Sequence, residues 1–175
     1  DIYRELRYEG APQPALKQLD ESGDTVLVGS FSKIAFPGLR VGWVIAPRPL
    51  LARLTEAKQA CDLHTDQLSQ ALLLRFAESG RLEEHRQRVR QAGAERLRTL
   101  LAALEKHFPK GTVYSRPAGG MNVWVRLPGG LDAAGLLTRA QRHGVSYLPG
   151  RYFEVTRQHT GALRLSFAGL SPEEI

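Results

Sequence analysis

An α/β fold is what this sequence predicts, and three observations predict it. Two short β-branched runs lie within the first fifty residues, residues 50–106 carry helical periodicity, and strand-like and helical segments alternate beyond Phe108.

Residues 25–31 (TVLVGSF), preceded by Gly23-Asp24, read as a buried strand. Residues 32–39 form a loop that closes on Pro37-Gly38, and residues 40–46 (RVGWVIA) read as a second strand, stopped by Pro47 and Pro49. Leu51, Leu54, Ala57 and Cys61 then make one helical stripe, and Leu68, Leu72 and Phe76 a second. Val89, Leu97, Leu100, Leu101 and Leu104 make a third, longer one. Asp66 suits the cap of the second helix, and Gly80 separates it from the third. Past Phe108-Pro109, residues 112–115, 122–126 and 162–167 are strand-like, with a helix from Asp132 to about His143 among them. Gly119-Gly120, Gly129-Gly130 and Pro149-Gly150 supply the turns. The expected division is residues 1–108, an α/β portion with long connecting helices, and residues 109–175, a small α+β unit.

Composition narrows the function classes. With 42% hydrophobic and 24% charged residues in 175, the chain has the make-up of a soluble globular protein. No apolar run approaches the roughly 20 residues of a membrane span, and Asp1-Ile2-Tyr3-Arg4-Glu5 is not a secretory leader. The single cysteine, Cys61, excludes an internal disulfide and a cysteine-based metal cage, and suits a reducing cytoplasm. The net charge of +6 is arginine-driven, since only five lysines occur. The arginines are densest over residues 81–98, where Glu83, Glu84 and Glu95 interrupt them, so a solvated helix face is the reading there. His64, His85, His107, His143 and His159 show no metal-ligand spacing, and no G-x-S-x-G occurs. There is no initiator methionine, and Ser171-Pro172-Glu173-Glu174-Ile175 reads as the first turn of a helix, with serine as cap and proline at the first helical position. These ends predict a fragment.

The chemistry concentrates in Ser30-Phe31-Ser32-Lys33-Ile34-Ala35-Phe36-Pro37-Gly38-Leu39-Arg40-Val41-Gly42-Trp43. A strand ends in two serines and a lysine, the chain turns through Pro-Gly, and an arginine starts the next strand. Ligands of open α/β sheets bind at such a strand edge. Hydroxyls and a guanidinium suit a phosphate, and lysine, unlike arginine, can lose its proton and form an imine with a carbonyl. On spacing alone, a lysine here is more often an exposed loop residue.

The whole string resembles the pyridoxal 5'-phosphate (PLP) lysine signature of class I/II aminotransferases, S-x-S-K-x-x-x-P-G-x-R-x-G, in which Ser30, Ser32, Lys33, Pro37, Gly38, Arg40 and Gly42 all match. The resemblance implies that Lys33 forms the Schiff base, with Ser30, Ser32 and Arg40 as phosphate ligands. It also implies the C-terminal part of the fold type I architecture: the end of the large domain, connecting helices, and a small domain. Asp1-Ile2-Tyr3-Arg4-Glu5-Leu6-Arg7-Tyr8-Glu9-Gly10 is similar to the family's D-D-x-Y-x-E-L-R-Y-x-G, with Tyr3 as the tyrosine toward the cofactor's phenolic oxygen and Asp1 as a neighbour of its pyridinium aspartate. Leu163-Arg164-Leu165-Ser166-Phe167 resembles L-R-L-S-F/Y, whose arginine grips the substrate α-carboxylate; without the family, Arg164 would read as a solvent-facing residue of an alternating strand.

Several shorter strings narrow the likeness. Asp62-Leu63-His64-Thr65 with Gln70, Pro117-Ala118-Gly119-Gly120-Met121 with Trp124 and Leu127-Pro128, and Pro149-Gly150 with Phe153 resemble the aminoadipate and kynurenine aminotransferase branch. Asn122 departs from the aromatic common after that methionine, and with Tyr147 it is expected to shape the side-chain pocket. The helix around His85-Arg86-Gln87-Arg88-Val89-Arg90 is also similar to MocR-type (GntR-family) transcription regulators, in which an aminotransferase-like domain senses an effector behind a winged helix. Two functions are therefore expected: amino-group transfer between an amino acid and a 2-oxo acid, or effector sensing with weak or no turnover. A homodimer is implied in either case, and DNA is a partner only through a winged helix in the second. The fragment alone is expected to bind PLP weakly and not to turn over.

Overall fold

A computed structural model describes residues 1–155 and 161–175; His159 lies outside them. The chain forms two compact units, Asp1–Gln91 and Ala92–Ile175.

The first unit opens with a short helix, α1 (Leu16–Leu19), followed by a tight turn organised by one carboxylate. Asp20 Oδ1 accepts from the backbone N–H groups of Ser22 (3.1 Å) and Gly23 (2.9 Å), and Oδ2 from Thr25 N–H (2.8 Å) and Lys17 Nζ (3.2 Å). Such side-chain-to-backbone bonds direct the chain without a regular element. They deliver it into β1 (Leu27–Ser30), which pairs antiparallel with β2 (Gly42–Ile45). Both strands are shorter than the β-branched runs that contain them. They are also less covered than expected. Val28 is 51% exposed and Ile45 49%, because among the described residues this sheet has two strands and its apolar pattern states which face a strand can bury, not what lies on it.

Three helices follow: α2 (Arg48–Asp62), α3 (Gln67–Glu78) and α4 (Arg81–His107). Asp66 caps α3 as expected, its carboxylate accepting from Ser69 N–H at 2.7 Å. A hydrogen bond from the Ser69 side chain, then that backbone bond, holds the Asp66 carboxyl below the usual carboxylate range. Gly80 takes φ +78 between α3 and α4, a conformation open to glycine. The α2 stripe stays exposed. On α3 the buried residue is Leu73 rather than Leu68 or Leu72. Leu6, Ala15, Ala35 and Leu73 are this unit's buried apolar side chains. Residues 81–91 of α4 belong to the first unit and the remainder to the second.

The second unit is built on a four-stranded antiparallel sheet in the order β3-β4-β6-β5, comprising β3 (Val113–Tyr114), β4 (Asn122–Arg126), β5 (Leu148–Pro149) and β6 (Ala162–Ser166). Helix α5 (Ala133–Arg142) starts at Asp132, whose carboxylate accepts from Ala134 and Gly135 N–H. Alternation along β4 sends Val123 and Val125 inward, both fully buried, beside Ala133, Leu163, Phe167, Leu97 and Leu104. Pro149-Gly150, expected as a turn, is divided: Pro149 ends the edge strand β5, and Gly150 begins a one-turn 3-10 helix, Gly150–Tyr152. A one-turn 3-10 helix, Pro172–Glu174, follows Ser171, whose N–H donates to Glu174 at 2.8 Å, as the capping pattern anticipates.

The Asp20 turn has a pH signature. The Thr25 backbone N–H, then the Ser22 hydroxyl, hold this carboxyl well below its ordinary value of 3.8. A carboxyl depressed by folding contributes stability that is fully present above its unfolded value and is lost as pH falls through the folded one. Asp20→Asn should lower the urea midpoint near neutrality, and the gap to wild type should narrow as the solution is acidified below 3.8. A gap independent of pH would show that the carboxylate charge contributes nothing.

Candidate functional site

Strand pairing builds the site's frame. Gly29 lies opposite Trp43 and Ser30 opposite Gly42, and Phe31 N–H continues the ladder to Val41 O at 3.2 Å. Both glycines are required by close approach. A Cβ at Gly29 would fall 2.2 Å from the Trp43 ring, and one at Gly42 would fall 2.9 Å from Gly29 O. Residues 31–41 are thereby closed into a loop at one end of the two-stranded sheet.

Within that loop the chain makes two successive turns. Ala35 N–H donates to Phe31 O at 2.8 Å, enclosing Ser32 and Lys33, and Arg40 N–H donates to Pro37 O at 3.4 Å. Ser30 Oγ accepts the Ser32 N–H at 3.1 Å, so one candidate phosphate hydroxyl fixes the backbone of the other. Ser30, Ser32 and Lys33 are each half-buried. Arg40 is exposed and sits at φ 54, ψ 35 in the left-handed region, its guanidinium donating to Pro37 O at 3.2 Å. A non-glycine residue there bears a backbone cost of about 1 kcal/mol, a pattern that clusters at functional sites.

The opening segment lies beside this frame. The amino group of Asp1 donates to Val28 O, and Asp1, Ile2, Arg4 and Glu5 share a cavity of about 250 Å³ with Gly29 and Ser30. Tyr3 is 39% exposed, and its carbonyl accepts from Leu6 N–H at 2.9 Å, where the buried Leu6 anchors the turn. Tyr3, Ser32, Lys33 and Arg40 do not line that cavity. From residue 25 to residue 55 the sequence has no acidic side chain, while Lys33, Arg40, Arg48 and Arg53 are cationic. Two hydroxyls, an amine and a guanidinium on a carboxylate-free segment are a donor set that fits a phosphate-bearing carbonyl compound.

Arg164 belongs to the second unit, on β6. It faces Trp124 of β4 on one side and Leu148 of β5 on the other. Its guanidinium lies 4.9 Å from the Phe153 ring centroid, and Trp124 meets the same ring edge-on at 5.6 Å. An arginine stacked on an aromatic face keeps its planar fork free for a carboxylate. Sequence reasoning matched Phe153 to a turn and missed this contact, because the pairing of Trp124 with Arg164 is visible only once the β4–β6 register is known. Tyr147, expected near a side-chain pocket, donates its hydroxyl to Ala133 O at 2.7 Å. Burial, then the Asp132 charge, push its pKa up. Asn122 is half-buried at the start of β4, opposite Ser166.

Comparison with known proteins gives the class. The chain belongs to the aminotransferase class I and II family, whose model matches residues 1–175. It is 42% identical to the 2-aminoadipate transaminase of Thermus thermophilus, over all of this chain and 45% of that protein. The solved structure of LysN, the α-aminoadipate aminotransferase of the same organism complexed with N-(5'-phosphopyridoxyl)-L-leucine, superposes with a TM-score of 0.92 at 40% identity, over 99% of this chain and 45% of that one. The chain is also 33% identical to the HTH-type transcriptional regulator YdfD of Bacillus subtilis, over all of this chain and 36% of the regulator. It thus spans less than half the length of these relatives. The fold is α/β and matches part of the fold type I architecture, 45% of the LysN chain.

The tight seat of Trp43 over Gly29 sets a test of the frame. Gly29→Val should destabilise the protein by about 1–3 kcal/mol, the usual cost of overpacking, measured by urea denaturation. Unchanged stability would mean that the indole does not sit there.

Proposed function

We propose that the chain is part of a PLP-dependent aminotransferase-like protein that moves an amino group between an amino acid and a 2-oxo acid, with Lys33 as the cofactor-bearing amine. The observation that carries this reading is the strand-closed loop of residues 31–41, in which Lys33 follows Ser32, whose N–H the Ser30 hydroxyl accepts, and precedes a left-handed arginine, in a chain that the family model matches throughout.

In this reading Ser30, Ser32 and Arg40 hold the anionic end of the cofactor through charge-assisted hydrogen bonds. Tyr3 donates its hydroxyl to the phenolic oxygen. Bound there, PLP supplies an aldehyde for the lysine and a ring that takes up electrons from the substrate Cα. Lys33 carries the proton at that Cα, as a positioned amine can. Arg164, seated over the Phe153 ring, orients the substrate by its α-carboxylate. Residues 1–108 contribute the end of the large domain and its connecting helices, and residues 109–175 the small domain. A homodimer in the cytoplasm is the form proposed for the complete protein. The relatives favour 2-aminoadipate, aromatic or branched donors, with Asn122 and Tyr147 shaping the pocket.

A second reading is favoured by the HTH-type relatives, which include YdfD and the probable rhizopine catabolism regulatory protein MocR of Rhizobium meliloti. There the same site senses an effector, and DNA contact belongs to a separate winged helix. The complete protein, supplied with several amino donors and a 2-oxo acid, separates the two. Multiple turnovers support the enzyme, and a single half-reaction supports the sensor.

Borohydride reduction of the complete, PLP-loaded protein, followed by peptide mass spectrometry, should find the label on Lys33. A label elsewhere, or none, removes the basis of both readings. In the enzyme, Lys33→Ala should lower kcat by on the order of 10³ or more. Arg164→Leu should raise the KM of the amino donor by roughly tenfold to a hundredfold, as loss of a charged hydrogen bond predicts, with a smaller change in kcat. An unchanged KM would sink the assignment of Arg164.

A further inference from the structure

We propose that His85 and Phe76 are positioning residues for Lys33, acting through a ring stack on Phe36; the proposal rests on the reading of Lys33 given above. The two turns of the lysine loop are each closed by their own hydrogen bonds, one over residues 31–35 and one over residues 36–40. Among the described residues the backbone bond that links the two sides of the joint between Ala35 and Phe36 is the one at the base of the loop, from Phe31 N–H to Val41 O. Beyond that base, the turn that carries Ser32 and Lys33 and the turn that carries Arg40 are each closed on themselves. Cofactor binding needs both at once.

The joint is held from outside by rings. Phe36 packs against Phe76 of α3 with centroids 5.0 Å apart and a tilt of 54°, and stacks on His85 of α4 at 6.0 Å and 22°. Phe76 and His85 meet each other edge-on at 6.1 Å, closing a three-ring cluster. Phe36 remains 44% exposed, so ring contact rather than depth in a core fixes it. Helix α4 also reaches the other turn, since Leu82 and Arg86 line one cavity with Phe31 and Ile34. One helix thus stacks on Phe36 and shares a cavity with the turn that carries Lys33. In α4 Arg86 is itself held by Glu83 at 2.8 Å and by an ion pair to Glu5, which ties the helix to the segment of Tyr3. Small displacements of a reacting group are costly, on the order of a hundredfold in rate for about 1 Å.

The test uses the complete, PLP-loaded protein and the variants His85→Leu, Phe76→Leu and Phe36→Leu, which keep bulk and remove the stacking plane, with His85→Phe as the ring-restoring control. Circular dichroism checks folding. If either helix variant unfolds, Phe36→Leu reports on the same stack from the exposed loop. The leucine variants should still be labelled at Lys33 by borohydride, but about tenfold more slowly. Their visible absorption maximum should be shifted and kcat lowered with KM nearly unchanged, and His85→Phe should restore all three. Folded leucine variants that match wild type in trapping rate, spectrum and kcat overturn the clamp while leaving Lys33 in place. So does a His85→Phe variant that behaves as His85→Leu. If wild type is not labelled at Lys33, the underlying reading fails and the clamp with it.

Discussion

The antiparallel pairing of Leu27–Ser30 with Gly42–Ile45 is the constraint on which the candidate site depends. It brings the two ends of residues 31–41 together, and the Phe31–Val41 bond extends the closure into the loop. Pairing at this spacing needs two side chains to be missing. Gly42 lets the strand backbones approach, and Gly29 makes room for the Trp43 ring. The glycine that ends the lysine signature is therefore a packing requirement of the frame, and the hydroxyls and cations of the loop acquire their relation from it. The Asp20 turn, which sets the entry of β1, serves the same frame from the other end.

Much of this was legible in the sequence, for identifiable reasons. The helices α3 and α5 carry their own punctuation in Asp66, Gly80 and Asp132, and local chemistry of that kind survives any tertiary context. Strand β4 alternates cleanly because one face is buried by Val123 and Val125. What escaped were features set by contacts distant in sequence. The β5 edge strand depends on Pro149 meeting Leu163, and the stack of Phe153 under Arg164 depends on strand register. Coverage escaped too: the apolar faces of β1, β2 and α2 were readable as faces, but periodicity carries no information about what lies against them. Within the site, residue identities pointed to Lys33, Ser30, Ser32 and Arg40, whereas the left-handed backbone of Arg40 left no trace in composition.

On the proposed reading, the similarity to enzymes and to regulators would have a physical basis in the same few groups. Anchoring a phosphate, presenting an amine and gripping a carboxylate are all acts of recognition, and a sensor needs them as much as a catalyst does. On that reading the two outcomes would part at the fate of a proton at the substrate Cα, which would depend on the placement of one amine rather than on which residues are present. That is why the mechanical support of the loop carries weight out of proportion to its size.

Arg40 shows how two demands can fall on a single position. Its backbone geometry, φ 54 and ψ 35, is one that glycine or asparagine would adopt with less strain, while its charge is what a phosphate would ask for. Exchange for glycine would relax the chain and forfeit the cation; exchange for a β-branched residue would forfeit both. Both demands together would admit long, unbranched, basic side chains, so the turn after Pro37-Gly38 would be a narrow gate for sequence divergence even though the residue itself lies open to solvent.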